Sequence, residues 1–190
     1  MSGVQEVVDA KVLSDASSTA GAAQRASFRF MLRHPAHWIA LGFGSGLSPK
    51  APGTVGTLWA WAAFLILDRW LSSGQWAVVL VLSLVIGVWA CTRTARDLGL
   101  ADPGAIVWDE VIAFWLVLWL VMPAGLLGQA VAFALFRIFD AAKPGPVRWA
   151  DQLFKSAHGW RQGFGIVFDD LVAALCTLLV IALWRFAWPA

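Results

Sequence analysis

The stretch IVWDEVIAFWLVLWLVM, at residues 106–122, decides the fold: two acidic residues, Asp109 and Glu110, stand near the start of an otherwise apolar run. The run lacks the polar and apolar alternation of a barrel strand, so it predicts a helix. A charge in the centre of a membrane helix costs about 2.5–3.5 kcal/mol, and is tolerated when it faces a cavity, pairs with a cation or binds a metal. Alternatively, the pair caps a helix at the membrane interface, where the helix N-terminus favours negative charge.

Four more apolar segments surround this one. A helix needs about 20 apolar residues to span a bilayer, and only helices and closed barrels satisfy their backbone polar groups in lipid. The second and fifth segments along the chain meet this length comfortably, and the first meets it with interfacial ends. The third and fourth are short, and form either a tight pair with interfacial ends or core helices that never cross. The predicted fold is an all-α integral membrane bundle of about four to five hydrophobic helices, drawn from residues 55–70, 76–92, 106–122, 126–139 and 171–188.

Composition agrees with lipid as the solvent. Of the 190 residues, 59% are hydrophobic and 14% are charged, whereas soluble domains carry about 25% charged residues. Residues 1–27 contain acidic residues and no apolar signal core, which predicts a disordered tail before a membrane-embedded domain at residues 28–190. Cys91 and Cys176 lie in apolar runs without metal-ligand spacing, so we expect neither a disulfide nor a zinc site.

The basic residues predict an orientation. If all five segments span and the N-terminus is inside, the inner regions are residues 1–54, 93–105 and 140–170. With Arg137 at a helix end, these regions hold all of the Lys and Arg residues except Arg69 and Arg185. An excess of Lys and Arg marks cytoplasmic loops. We therefore expect a multi-pass protein with a polar site facing the cytoplasm, and no nucleic-acid partner.

A glycine-rich segment, GFGSGLSPKAPGTVGT at residues 42–57, stands directly before the first apolar run. Glycines let backbone N–H groups turn toward an anion, and the N-terminus of the following helix adds positive potential. The spacing is not that of a Walker A loop. A structural hairpin entering the membrane is the alternative. The residues predicted to cradle a phosphate are Gly44, Ser45, Gly46, Ser48, Lys50, Gly53 and Thr54.

Two later motifs also carry charge. Arg137 and Asp140 are three residues apart, on one helical face, and precede the turn Lys143-Pro144-Gly145-Pro146. They form either a plain salt bridge or a site in which Asp140 binds a metal while Arg137 and Lys143 bind phosphate. Asp169 and Asp170 follow a predicted glycine-rich turn and begin the last helix, as N-caps or as metal ligands.

Together these motifs predict one metal-dependent phosphate site. Carboxylate oxygens suit Mg²⁺, which binds carboxylates together with substrate phosphates, and no His or Cys cluster indicates a softer metal. Cys91 lacks the arginine spacing of a cysteine phosphatase, which leaves metal-assisted attack by water, with a carboxylate as base. The predicted metal ligands are Asp109, Glu110, Asp140, Asp169 and Asp170, and the predicted catalytic residues are Asp109, Glu110, Asp140 and Asp170.

Several of these motifs, in this order, resemble the phosphatidylglycerophosphatase A family. The resemblance covers roughly residues 35–188 and implies an all-helical phosphoric monoester hydrolase of the bacterial inner membrane. It also implies Mg²⁺-dependent conversion of phosphatidylglycerophosphate to phosphatidylglycerol. The chain differs from the family pattern near Asp169 and Asp170, where Gln162, Val167 and Ala174 replace the usual residues, but the acidic residues remain. The segments that carry the resemblance are GFGSG (42–46), PGTVG (52–56), IVWDE (106–110), FRIFD (136–140), KPGP (143–146), GI (165–166) and DD (169–170).

Two other functions are compatible with an acidic membrane bundle. A small ion channel or transporter would distribute carboxylates through the centres of its helices, whereas these gather at the ends. A non-enzymatic scaffold of a lipid-synthesis complex would release no phosphate under any metal condition.

Overall fold

A computed structural model describes residues 25–188 of the chain. Within them every regular element is helical, which confirms the all-α prediction. Most of the predicted tail, residues 1–24, lies outside the described residues. The elements are α1 (Phe28–Met31), α2 (Pro35–Ala40), a 3₁₀ helix (Gly42–Leu47), α3 (Pro52–Leu67), α4 (Ser73–Leu98), α5 (Trp108–Val121), α6 (Leu126–Ala142), α7 (Gly145–Leu153) and α8 (Trp160–Ala187).

Helix α5, the helix of the acidic pair, forms the centre of the bundle. It packs against α3, α4, α6 and α8, and most of its side chains are buried. Trp115 in its middle donates a hydrogen bond to the carbonyl of Ala60 on α3 at 2.8 Å. At 14 residues, α5 is about 21 Å long. Because its side chains are buried on several sides by these four helices, α5 occupies the core.

The two longest helices, α4 and α8, are long and apolar enough to cross a membrane. In their most apolar stretches only 28% and 39% of the residues are buried. A core helix of a soluble protein would be mostly buried, so these exposed apolar faces favour lipid as their surroundings. Helix α4 begins at a capping box between Ser72 and Gln75 and ends at Gly99, which adopts a left-handed conformation.

Four short elements were not predicted as helices from hydropathy: α1, α2, the 3₁₀ helix and α7. Ser27 and His34 cap α1 and α2, and Pro35 occupies the first turn of α2. Helix α7 follows Pro144 and packs on α8. Hydropathy missed these elements because each is too short to show a long apolar run.

The prediction that a glycine-rich turn precedes Asp169 and Asp170 is wrong. Gly163 and Gly165 lie inside α8, which begins at Trp160. A Cβ at Gly163 would overlap Thr92 of α4, and one at Gly165 would overlap Phe154. The glycines therefore permit close packing within a continuous helix. Asp169 and Asp170 are interior residues of α8, so they are not N-caps.

Candidate active site

The acidic residues predicted as one site gather at one end of the bundle. Asp109 and Glu110 lie in the first turn of α5, and Asp140 lies in the last turn of α6. Asp169 and Asp170 lie about three turns into α8. Contacts join these helices through Arg137 and Lys143, the two cations that bridge carboxylates there. The tertiary fold thus brings together side chains from three separate segments.

Arg137 connects two of the helices. Its Nη1 donates to Glu110 Oε1 at 2.9 Å and to Asp140 Oδ2 at 2.5 Å. The salt bridge predicted within α6 is therefore present, and the same guanidinium also reaches α5. Thr57 on α3 lies beside this group, with its Oγ1 at 3.4 Å from both Glu110 Oε2 and Arg137 Nη1. Thr57 was missed because its only signal in the sequence is its position in the glycine-rich segment.

Lys143 forms a second bridge. It adopts a positive φ of 43° at the end of α6, and its Nζ donates to Asp151 Oδ1 at 2.5 Å and Asp169 Oδ2 at 2.6 Å. Burial alone would lower the pKa of Lys143, but the hydrogen bonds to these two carboxylates outweigh burial and raise its pKa above the usual value. Lys143 thus remains charged at neutral pH and holds α6, α7 and α8 together.

Asp151 was missed because it lies in a short polar helix, α7, far from the apolar runs. With Asp102 and Asp169 it lines a cavity of about 180 Å³ at this end of the bundle. Lys155 and Gln162 complete the polar part of the wall. The cavity gives the carboxylate cluster an open side, toward which a polar ligand could approach.

Two buried carboxylate oxygens have no hydrogen-bond partner among residues 25–188: Asp109 Oδ1 and Asp170 Oδ2. The two residues are only 8% and 4% exposed. The carboxyl groups of Asp140 and Asp109 lie near Asp170, so it would be unfavourable for all three to be ionised together. Buried carboxylates without partners are unfavourable unless a cation or proton compensates them. These oxygens therefore fit a bound cation.

The cluster is not a preformed metal cage. Within residues 25–188, no three His, Cys, Asp or Glu side chains lie close enough together to hold an ion. Three of the predicted ligands are turned toward cations instead: Glu110 and Asp140 toward Arg137, and Asp169 toward Lys143. Metal binding would require these side chains to rotate, and the metal-ligand set stays a prediction.

The glycine-rich segment is only partly joined to the cluster. Phe43 and Gly44 have positive φ within the 3₁₀ helix. The hydroxyls of Ser45 and Ser48 bind carbonyls of the same segment, those of Gly42 and Lys50. No described contact links these residues to the carboxylates in the part of the chain that the structure covers. The contacts in the first half of the segment are those of a structural turn, and its role in binding phosphate stays a prediction.

The second half of the segment reaches the cluster through Gly53. A Cβ at Gly53 would overlap the carboxylate of Glu110, so the backbone at the start of α3 lies directly against that side chain. Helix α3 has Pro52 in its first turn and no side-chain cap. Among residues 25–188 the N–H groups of Gly53 and Thr54 have no hydrogen-bond partner, so they can face an anion. Lys50 is exposed just before this point.

Comparison with known proteins identifies the family. The model of the phosphatidylglycerophosphatase A family matches residues 38–185. Phosphatidylglycerophosphatase A of Escherichia coli K12 is 40% identical over 164 residues, 86% of this chain and 91% of that protein. The Haemophilus influenzae protein of the same name is 37% identical, covering 80% and 90%.

A third relative carries a different name. A protein of Bacteroides thetaiotaomicron, provisionally named a phosphatidylinositol-3-phosphatase, is 36% identical over 78% of this chain and 92% of its own length. No solved structure matches the chain significantly. The family model and two bacterial relatives carry the same name, and the chain belongs to the phosphatidylglycerophosphatase A family.

Proposed function

We propose that this protein hydrolyses phosphatidylglycerophosphate to phosphatidylglycerol and inorganic phosphate. The observation that carries the proposal is the convergence of Glu110, Arg137 and Asp140 beside the free N-terminus of α3, in a chain of this family. Water attacks the phosphorus, the bond to the glycerol oxygen breaks, and the leaving oxygen takes a proton. Carboxylates beside an anion site suit this chemistry because one can accept the proton of the attacking water.

The terminal phosphate of the substrate would bind at the start of α3. The backbone N–H groups of Gly53 and Thr54 and the positive end of the helix dipole favour a phosphate there. Arg137 lies near this position, because it contacts both Glu110 and Thr57. Its fork of donors matches phosphate oxygens, and the phosphate would compete with Glu110 and Asp140 for it. Lys50, on the exposed approach, would attract the head group.

The carboxylates would hold Mg²⁺. Asp109 and Asp170 are the first candidates because each has a buried oxygen without a partner. Asp140, Asp169 and Glu110 would also bind the metal once their ion pairs with Arg137 and Lys143 are broken. When bound, Mg²⁺ stabilises the negative charge that develops on the phosphoryl oxygens. Among the described residues, Arg137 and Lys143 pair with only three of these five carboxylates, and the two carboxylates left without an ion pair support the proposal.

We further propose that the bundle spans the bacterial inner membrane several times, with the carboxylate cluster at the cytoplasmic face. The exposed apolar faces of α4 and α8 support membrane contact. Helices α3, α5 and α6 are shorter. Because α5 packs inside the bundle, it would lie within the membrane without contacting lipid. The excess of Lys and Arg at the cluster end supports the orientation.

The experiment is phosphate release from phosphatidylglycerophosphate by the purified full-length protein in detergent micelles. We expect release with Mg²⁺ and none with EDTA, and restoration when Mg²⁺ is returned. The matched control variant is Asp68→Asn, because Asp68 accepts a hydrogen bond from Trp76 at the other end of the bundle. Absence of release under every metal condition would overturn the proposal and favour the scaffold. Ion flux through liposomes without hydrolysis would favour a channel.

A further inference from the structure

A second polar cavity lies apart from the carboxylate cluster, between α1, α2 and the end of α4. Its volume is about 400 Å³. It combines two arginines, two histidines, one aspartate and one aromatic ring: Arg33, Arg93, His34, His37, Asp97 and Phe30. The proposed reaction uses none of these side chains.

The floor of the cavity is a fixed hydrogen-bonded unit. His37 is buried, with its Nδ1 3.0 Å from Thr94 Oγ1 and its Nε2 3.4 Å from Asp97 Oδ2. Arg93 donates to the same carboxylate oxygen at 2.7 Å. Phe30 stacks on the His37 ring with centroids 4.1 Å apart. The charge of Asp97 is therefore already paired with Arg93.

The rim of the cavity retains a positive charge. Arg33 is exposed and has no ion pair or side-chain hydrogen bond with any residue that the structure describes. Because Arg93 and Asp97 compensate each other, the charge of Arg33 remains and favours an anion. The side chain of Arg93 is still 40% exposed and leaves some of its donors accessible.

An apolar stripe leads away from the cavity along α4. His34 at the rim lies 5.8 Å from the ring of Trp89, which is one turn from Arg93. The stripe continues on the same face of the helix through exposed side chains: Trp89, Ile86, Val85, Leu82 and Val78. From residue 78 to residue 93 the stripe is about 22 Å long. The hydrocarbon core of a bilayer is about 30 Å thick, so the stripe is longer than the half of the core that belongs to one leaflet.

We propose that this cavity binds the phosphate of an anionic phospholipid, with an acyl chain of the same lipid along the stripe on α4. A positive rim, an aromatic side chain below it and an apolar face below that follow the order of head group, interface and acyl chain in one leaflet. Free phosphate has no acyl chain and would not contact the stripe. The proposal rests on the membrane placement proposed above, but it does not depend on the catalytic assignment.

The test is native mass spectrometry of the full-length protein in detergent, titrated with dioleoylphosphatidylserine, an anionic lipid without a phosphate monoester. We expect one saturable lipid site with a preference over dioleoylphosphatidylcholine. Arg33→Gln should weaken this site about fivefold, as expected for the loss of one cation near a lipid surface. Arg33→Lys should restore most of the affinity. Arg33 makes no described ion pair, so neither variant should disturb folding.

Two controls separate this site from other sources of binding. Arg148→Gln removes an exposed cation on α7, away from the cavity, and should leave the affinity unchanged. Asp140→Asn alters the carboxylate cluster and should also leave it unchanged, whether or not the protein proves to be a phosphatase. Equal affinity of wild type and Arg33→Gln would overturn the proposal. Displacement of the lipid by equimolar inorganic phosphate would overturn it as well, since it would indicate an ion site only.

Discussion

Glu110 on α5 and Arg137 on α6 form an ion pair at 2.9 Å, and Arg137 also holds Asp140 on its own helix. Arg137 thereby fixes the relative position of two carboxylates that come from different segments. Thr57 and the backbone of Gly53 bring α3 to the same point. Three helices therefore meet at one guanidinium, and the first prediction concerns that group.

Arg137→Lys should lower kcat/KM at least tenfold while the protein still folds. A lysine keeps the charge but lacks the planar fork of donors that could bind phosphate in bidentate fashion. The measurement is steady-state phosphate release in mixed micelles. Arg148→Lys is the matched control and should behave as wild type. Unchanged kinetics of Arg137→Lys would show that only its charge matters.

Asp140→Asn should abolish phosphate release, with a loss of at least about 10²-fold, and should leave the protein in the membrane fraction. The change removes a negative charge from the cluster but keeps the size of the side chain. Activity and membrane fractionation of the same preparation check both points. Near-normal turnover would remove Asp140 from the mechanism.

Gly53→Ala should reduce the rate of phosphate release clearly while changing the midpoint of thermal unfolding only slightly. The added Cβ would overlap Glu110 and push that carboxylate away from Arg137. Gly74→Ala is the control, because a Cβ there meets nothing within 4 Å in α4 and alanine is the better helix former. Thermal unfolding and phosphate release should be measured on both variants. Wild-type activity of Gly53→Ala would mean that the position of Glu110 is not critical.

Asp169→Asn should destabilise the protein more than Asp151→Asn. Both carboxylates accept from Lys143, but the side chain of Asp169 is 9% exposed and that of Asp151 is 28% exposed. Loss of a partly buried charged hydrogen bond costs about 1–3 kcal/mol, and solvent reduces this at the more exposed residue. Denaturant titration in detergent gives the two free energies of unfolding. A larger loss of unfolding free energy in Asp151→Asn than in Asp169→Asn would show that the ion pair of Lys143 with Asp151 contributes more to stability.

Stability should fall as the pH is lowered through the range near 6.5, and His37 should account for part of the fall. Burial lowers the pKa of His37 below 6.5, although Asp97 opposes this, while Arg93, Arg33 and His34 add to the lowering. The folded protein then holds His37 neutral where the unfolded chain binds a proton. Its contribution is present at higher pH and is lost as the pH falls.

The measurement is thermal unfolding at about pH 7.5 and pH 5.5. His37→Gln should flatten the difference between the two values, because glutamine takes up no proton. His158→Gln is the matched control, since His158 is an exposed histidine outside this cavity. An identical pH dependence in wild type and His37→Gln would contradict the assigned cause.

Sequence and structure agree best where the signal is local. Every long apolar run became a helix, with α5 extending over Trp108–Val121 within the predicted residues 106–122. The acidic residues were recognisable because a carboxylate beside an apolar run is costly unless something compensates it. Both observations depend on residue type and spacing along one helix, which a sequence displays directly.

The sequence by itself therefore determined the helical class and the residues at which polar chemistry could occur. Only the tertiary structure decided which of them meet. Arg137 pairs with Glu110, Lys143 pairs with Asp151, and the backbone of Gly53 lies against Glu110. The hydroxyls of Ser45 and Ser48 bind backbone carbonyls of their own segment instead. It also decided that Gly163 and Gly165 pack helices together and do not form a turn. The reason is physical: helix formation depends on neighbours within a few residues, whereas these contacts arise from the packing of helices far apart in the chain.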